Sequence, residues 1–129
     1  ATGWLGKQWV TMFGREVTGE VVGKISNRVD DFITEQTGRL YIKLGTKIGK
    51  GELSFPKGKQ GVLDAIESVR TTLANPTQTT GVIPKSTVRG DFDLIHIYSS
   101  KSGNTVSLRV LGNEKYEFGT LIQGKSSKF

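Results

Sequence analysis

Two alternating runs near the carboxyl end carry the clearest pattern in this chain. In DFDLIHIYSS, Ile95 and Ile97 fall on one side of an extended strand and Leu94, His96 and Tyr98 on the other. In NTVSLRVL, Val106, Leu108 and Val110 form an apolar row backed by Thr105, Ser107 and Arg109. Side chains alternate across a strand, so this period predicts two half-buried strands, joined as a hairpin by the turn Lys101-Ser102-Gly103-Asn104. If the apolar rows share a core, His96, Tyr98, Thr105, Ser107 and Arg109 project together from the opposite face. A third run, KYEFGTLI, follows a turn near Gly112-Asn113. Simple alternation there puts Tyr116, Phe118 and Thr120 on one face and Glu117, Gly119 and Leu121 on the other.

The amino-terminal part has a different period. Val17, Val21, Val22, Ile25, Val29, Phe32 and Ile33 recur at helical spacing and predict an amphipathic helix over about residues 15–36, with Gly38 as its stop. A shorter apolar helix is expected around Trp4, Leu5, Trp9, Val10 and Phe13. Val62, Leu63, Ile66, Val69 and Leu73 define a further helix, led in by a turn at Phe55-Pro56 and closed by Asn75-Pro76. Between these helices, residues 39–59 read as a glycine-rich β or loop segment. Residues 75–91 read as a loop with at most a short strand near Val82 and Ile83. The expected fold is α+β, with N-terminal helices packed on a C-terminal antiparallel β-sheet in one domain over 1–129.

Charge changes this picture at one place. Residues 1–38 hold four basic and five acidic side chains, 39–59 hold six and one, and 60–129 hold eight and six, so the net +6 is concentrated in the middle. Arg39, Lys43, Lys47, Lys50, Lys57 and Lys59 would attract a polyanion such as RNA, because neutralising phosphates releases counterions. A solvated hairpin of ordinary lysines is the competing reading. With no cysteine, disulfides, thiolate metal sites and cysteine nucleophiles are excluded. No run is long enough for a membrane span, and the amino end lacks the pattern of a cleavable signal.

Motif chemistry narrows the classes further. GTKIGKGE lacks the spacing of a phosphate loop, no dinucleotide fingerprint follows a strand, and no G-x-S-x-G elbow occurs. One histidine and scattered carboxylates give no ligand spacing, so no metal and no cofactor are expected. Metal-free cleavage of an RNA phosphodiester fits what remains. A base removes the 2′-hydroxyl proton, that oxygen attacks phosphorus, and cationic donors stabilise the transition state as the 5′-oxygen leaves. His96 and Arg109 are the leading catalytic candidates, with Ser107, Tyr116 and Thr120 beside them. Lys85, Thr87 and Arg89 of the PKSTVR loop, with Lys43 and Lys47, are candidates for holding phosphate. A structural role for His96 in its strand stays open beside this reading.

The succession FPKGKQGVLDAIESVRTTL, the Arg89-Gly90 loop, LIHIYSSKSGNTVSLRVL and KYEFGTLI resembles the toxin domains of the barnase, EndoU, colicin and RelE-like superfamily. These sit at the carboxyl ends of contact-dependent inhibition proteins and other polymorphic bacterial toxins. The likeness covers about residues 52–129, with 1–38 similar to the helical lead of such domains. It implies an RNase, often acting on tRNA, released as part of a larger exported protein. Such an enzyme acts in the target-cell cytoplasm and is neutralised by a cognate immunity protein. It also implies that Ser107, Arg109 and Thr120 face the scissile phosphate. The sequence departs from EndoU-like members in having one histidine where they carry two, while some colicins that cut tRNA use Lys and Arg instead. The alternatives are a non-catalytic single-stranded nucleic-acid-binding module, with Tyr98, Tyr116 or Phe118 stacking on bases, and a structural protein whose basic segment is merely solvated.

Overall fold

A computed structural model describes residues 28–85, 91–112 and 115–129. The expected helix at Trp4–Phe13 and most of the 15–36 helix lie outside these residues. The described chain is α+β: helices α1 (Val29–Glu35), α2 (Thr37–Gly49) and α3 (Lys59–Ala74) precede strands β1 (Gln78–Thr79), β2 (Asp93–Ser99), β3 (Asn104–Gly112) and β4 (Lys115–Gln123). The strands form one antiparallel sheet in the order β1-β2-β3-β4.

The largest correction concerns residues 39–59. Gly38 does not stop a helix; it sits in the first turn of α2, which runs through the basic segment to Gly49. Leu40, Leu44 and Ile48 recur every four residues and are fully or almost fully buried. Each such burial contributes roughly 1.5–3 kcal/mol, enough to outweigh about 1 kcal/mol for each glycine in the helix. The break between α1 and α2 falls at Gln36, whose N–H bonds to the Phe32 carbonyl at 2.9 Å.

Beside that apolar stripe, Gln36, Arg39 and Lys47 face β4, an edge strand whose outer N–H and C=O groups have no strand to pair with. Phe118 N–H donates to Gln36 Oε1 at 3.0 Å, Arg39 Nε donates to the Phe118 carbonyl at 3.0 Å, and Lys47 Nζ donates to the Leu121 carbonyl at 2.6 Å. Side chains of α2 and of Gln36 just before it thus stand in for a fifth strand.

Helix α3 forms where its period predicts. It buries Val62, Ala65, Ile66, Val69 and Leu73, and ends where Asn75 N–H and Nδ2 both return to the Thr71 carbonyl at 3.0 Å. Gly61 is fixed by packing, because a Cβ there would lie 1.6 Å from the Pro56 carbonyl oxygen. The predicted turn at Phe55-Pro56 therefore folds directly onto the helix it introduces.

Both hairpins form as expected, with Gly103 at φ 73° in the first; Asn113 of the second lies outside the described residues. Ile95 pairs with Leu108 and Ile97 with Val106, while His96 pairs with Ser107, Tyr98 with Thr105 and Leu94 with Arg109. The two faces of β2 and β3 are therefore those the alternation predicts. The short strand upstream lies at Gln78–Thr79 rather than at Val82 and Ile83, where Ile83 makes only a single bridge to Leu94.

In β4 the alternation breaks. Ser107 pairs with Thr120 but Leu108 pairs with Phe118, so Gly119 is an extra residue in a β-bulge. A Cβ on Gly119 would come within 2.9 Å of the Ser107 carbonyl oxygen. The bulge reverses the phase, so Tyr116, Phe118 and Leu121 pack with the core while Thr120 joins Ser107 on the other face. Tyr116 and Thr120 do not share a face, and Phe118, wholly buried, cannot serve as a stacking platform.

Candidate functional site

The face carrying His96, Ser107 and Arg109 divides into a covered half and an open half. The carboxyl-terminal residues fold over the first. Thr105 Oγ1 donates to the Gly124 carbonyl at 2.9 Å, and Ser126 N–H donates to Thr105 Oγ1 at 3.0 Å. The Ser126 hydroxyl lies 2.7 Å from His96 Nδ1. Because Ser126 Oγ already accepts from Lys128 N–H at 3.1 Å, its own proton is free to bond Nδ1, which suits a neutral imidazole. On the other side of β2, His96 N–H donates to Thr80 Oγ1 at 3.0 Å, and the His96 carbonyl accepts from Thr80 N–H at 2.9 Å. His96 keeps only 5% of its surface exposed. Burial, with a smaller contribution from Lys128, pushes its pKa down from 6.5 to about 4. The imidazole is neutral at pH 7 and lies beneath the tail.

The open half is a cleft of about 330 Å³, lined by Lys43 from α2, Leu94 from β2, Ser107 and Arg109 from β3, Gly119 and Thr120 from β4, and Asp91 and Phe92 just before β2. That volume falls within the range of small-molecule sites, about 300–1,000 Å³. Three elements therefore bring together four of the predicted residues: Lys43, Ser107, Arg109 and Thr120. The Gly119 bulge is what places Thr120 there.

Electrostatics favour an anion in this cleft. Arg109 Nη1 donates to Glu117 Oε1 at 3.3 Å, and Arg39 Nη2 lies 3.4 Å from the same oxygen without forming a hydrogen bond. One carboxylate thus faces two guanidiniums, with Lys43 as a third cation nearby. Burial, then Arg109, then Arg39 hold the Lys43 ammonium below the ordinary lysine range, against an opposing pull from Glu117. An added anion would relieve this excess of positive charge. Arg109 is also steadied from the side by Phe92, whose ring centroid lies 5.2 Å from Cζ.

The other predicted residues are placed elsewhere. Tyr116 packs with the core, and Lys47, its pKa lowered by burial, is committed to the Leu121 carbonyl. Lys85 is exposed, with its backbone N–H donating to Asp93 Oδ1 at 2.8 Å. Thr87 and Arg89 lie outside the described residues. Sequence reasoning passed over two of the cleft residues, Asp91, which reads there as a strand-edge charge, and Phe92, although Phe92 begins the alternating row Phe92, Leu94, His96, Tyr98. Among the described residues no three His, Cys, Asp or Glu side chains gather as a metal ion would require, and no helix is long and apolar enough to cross a membrane. No protein-family model, curated protein or solved structure matches the chain.

Proposed function

We propose that this chain is a metal-independent endoribonuclease of the bacterial toxin kind, with the scissile phosphodiester held in the Lys43–Arg109 cleft. The observation that carries this reading is the convergence of Lys43, Arg109, Ser107 and Thr120 on one open cleft. Two cations and two hydroxyls suit a phosphate with developing negative charge, the arrangement that lowers a phosphoryl-transfer barrier. Arg109 binds non-bridging oxygens, Ser107 and Thr120 donate to them, and Lys43 is the titratable group for proton transfer. His96 supports Ser107 from the neighbouring strand and touches no substrate. The resemblance noted in the sequence adds the wider setting: tRNA as substrate, release from a larger exported protein into the target-cell cytoplasm, and a cognate immunity protein. An acidic immunity surface would cover the cationic cleft and be captured quickly.

A second reading, a single-stranded nucleic-acid-binding module without turnover, is favoured by one fact. The lone imidazole lies under the carboxyl-terminal tail, outside the cleft. Incubating the protein with total RNA in excess chelator separates the two. The nuclease gives discrete fragments ending in 2′,3′-cyclic phosphate. Intact RNA together with salt-sensitive binding would reject the nuclease and leave the module.

A further inference from the structure

Lys43 differs from Lys47 and Lys85 in what surrounds its amine. It shares the cleft with Arg109, Ser107 and Thr120, whose side chains are donors for the oxygens of a phosphate group. Arg109 gives one N–H to Glu117 and has others left for such a ligand. Burial, then Arg109, then Arg39 favour the neutral form of the Lys43 amine, and the neutral amine is the nucleophile. One turn further along α2, the Lys47 amine is shifted in the same direction by burial, yet it does not line the cleft and is bonded to the Leu121 carbonyl. Lys85 is exposed and does not line the cleft either. A small molecule that joins a phosphate to an electrophilic carbon would be anchored in the cleft at one end and open to Lys43 at the other. Acyl phosphates have that chemistry, and a small one fits within about 330 Å³.

We propose that Lys43 is a self-acylating site, at which an acyl phosphate held by Arg109, Ser107 and Thr120 transfers its acyl group to the lysine side chain. The amine nitrogen bonds to the acyl carbon, and the bond from that carbon to the phosphate oxygen breaks with its electron pair going to phosphate. The amine proton passes to the same oxygen, leaving an amide on Lys43 and inorganic phosphate. Acylation removes the positive charge of Lys43, so the mark weakens the hold of the cleft on any phosphodiester. The inference rests on the reading of the cleft as a phosphate site, and not on turnover of RNA.

The test is incubation of the full chain with acetyl phosphate at pH 7, followed by mass spectrometric mapping of acetylated lysines over time. Lys43 should be modified at least about tenfold faster than Lys47 or Lys85, because anchoring the reagent makes the transfer effectively intramolecular. Inorganic phosphate should slow the reaction at Lys43 and leave Lys85 untouched. Arg109→Ala should bring Lys43 down to the rate of Lys85. The acetyl ester of N-hydroxysuccinimide, which carries no phosphate, should show much less preference for Lys43. Equal selectivity with that ester, or no protection by phosphate, would overturn the anchoring role of the cleft and the proposal with it. Modification of Lys43 no faster than Lys85 would overturn the proposal too, and calorimetric titration with phosphate then separates the two readings. Phosphate that still binds leaves the phosphodiester site standing, whereas undetectable binding overturns that site as well.

Discussion

Acid should destabilise this fold through His96, by an amount the structure allows to be worked out. In the unfolded chain the imidazole has its ordinary pKa of 6.5; in the folded protein, burial and Lys128 hold it at about 4. Between those values the unfolded state binds a proton that the folded state does not, so stability falls as pH falls. The loss begins near pH 6.5 and is complete near pH 4. Its size follows from the displacement of the pKa, about 3 kcal/mol, with a maximal slope of about 1.4 kcal/mol per pH unit. That is a large part of the stability of a domain this size, about 5–15 kcal/mol. Carboxylates titrate in the same window, so the assay compares the protein with His96→Asn, whose side-chain oxygen can still accept from Ser126. Urea unfolding at a series of pH values from 7 to 4 should show the variant losing about 3 kcal/mol less than the parent. Parallel curves for the two proteins would mean that the imidazole titrates as a solvated group, and the account of the tail as its cover would fail.

Three further outcomes follow from the packing and the cleft. Gly61→Ala should cost more than about 3 kcal/mol or abolish folding, measured by urea midpoint, because its Cβ would overlap the Pro56 carbonyl oxygen at 1.6 Å. Gly38→Ala should raise stability by about 0.5–1 kcal/mol, seen as a higher Tm, since the position is helical and a Cβ there meets nothing within 4 Å. Lys43→Ala should lower the rate of RNA cleavage by about a hundredfold, measured under single-turnover conditions, if that ammonium moves the proton.

The sheet was legible because two β-strands with one buried face must alternate, and Ile95, Ile97, Val106 and Leu108 do so without interruption. The same rule misplaced Tyr116 and Thr120, since one glycine inserted as a bulge reverses every later position in β4. Helix α2 was hidden for another reason. Glycines at 38, 45 and 49 lower local helix propensity, and its lysines read as a solvated segment. Yet Leu40, Leu44 and Ile48, beside Arg39, Lys43 and Lys47, carry two parallel stripes of period four that only tertiary burial makes decisive. The covering of His96 was not legible at all. KSSKF has no period, and its hold on the sheet comes from hydrogen bonds of Ser126 to Thr105 and His96 and from Lys125 and Phe129 against the Tyr98 ring. Four of the residues named from the sequence line one cleft, because cations and hydroxyls in these segments are a compositional signal. Their separation from His96 depends on where the tail goes.

The central claim is that chemistry resides at Arg109 and the cleft around it, and that His96 is a buried structural residue. Single-turnover cleavage of a tRNA pool in excess chelator, run side by side for the parent, Arg109→Ala and His96→Asn at pH 7, tests it most directly. The account predicts a loss of about a hundredfold or more for Arg109→Ala and a rate within about threefold of the parent for His96→Asn. The opposite pattern, with His96→Asn inactive while folded and Arg109→Ala active, would contradict it.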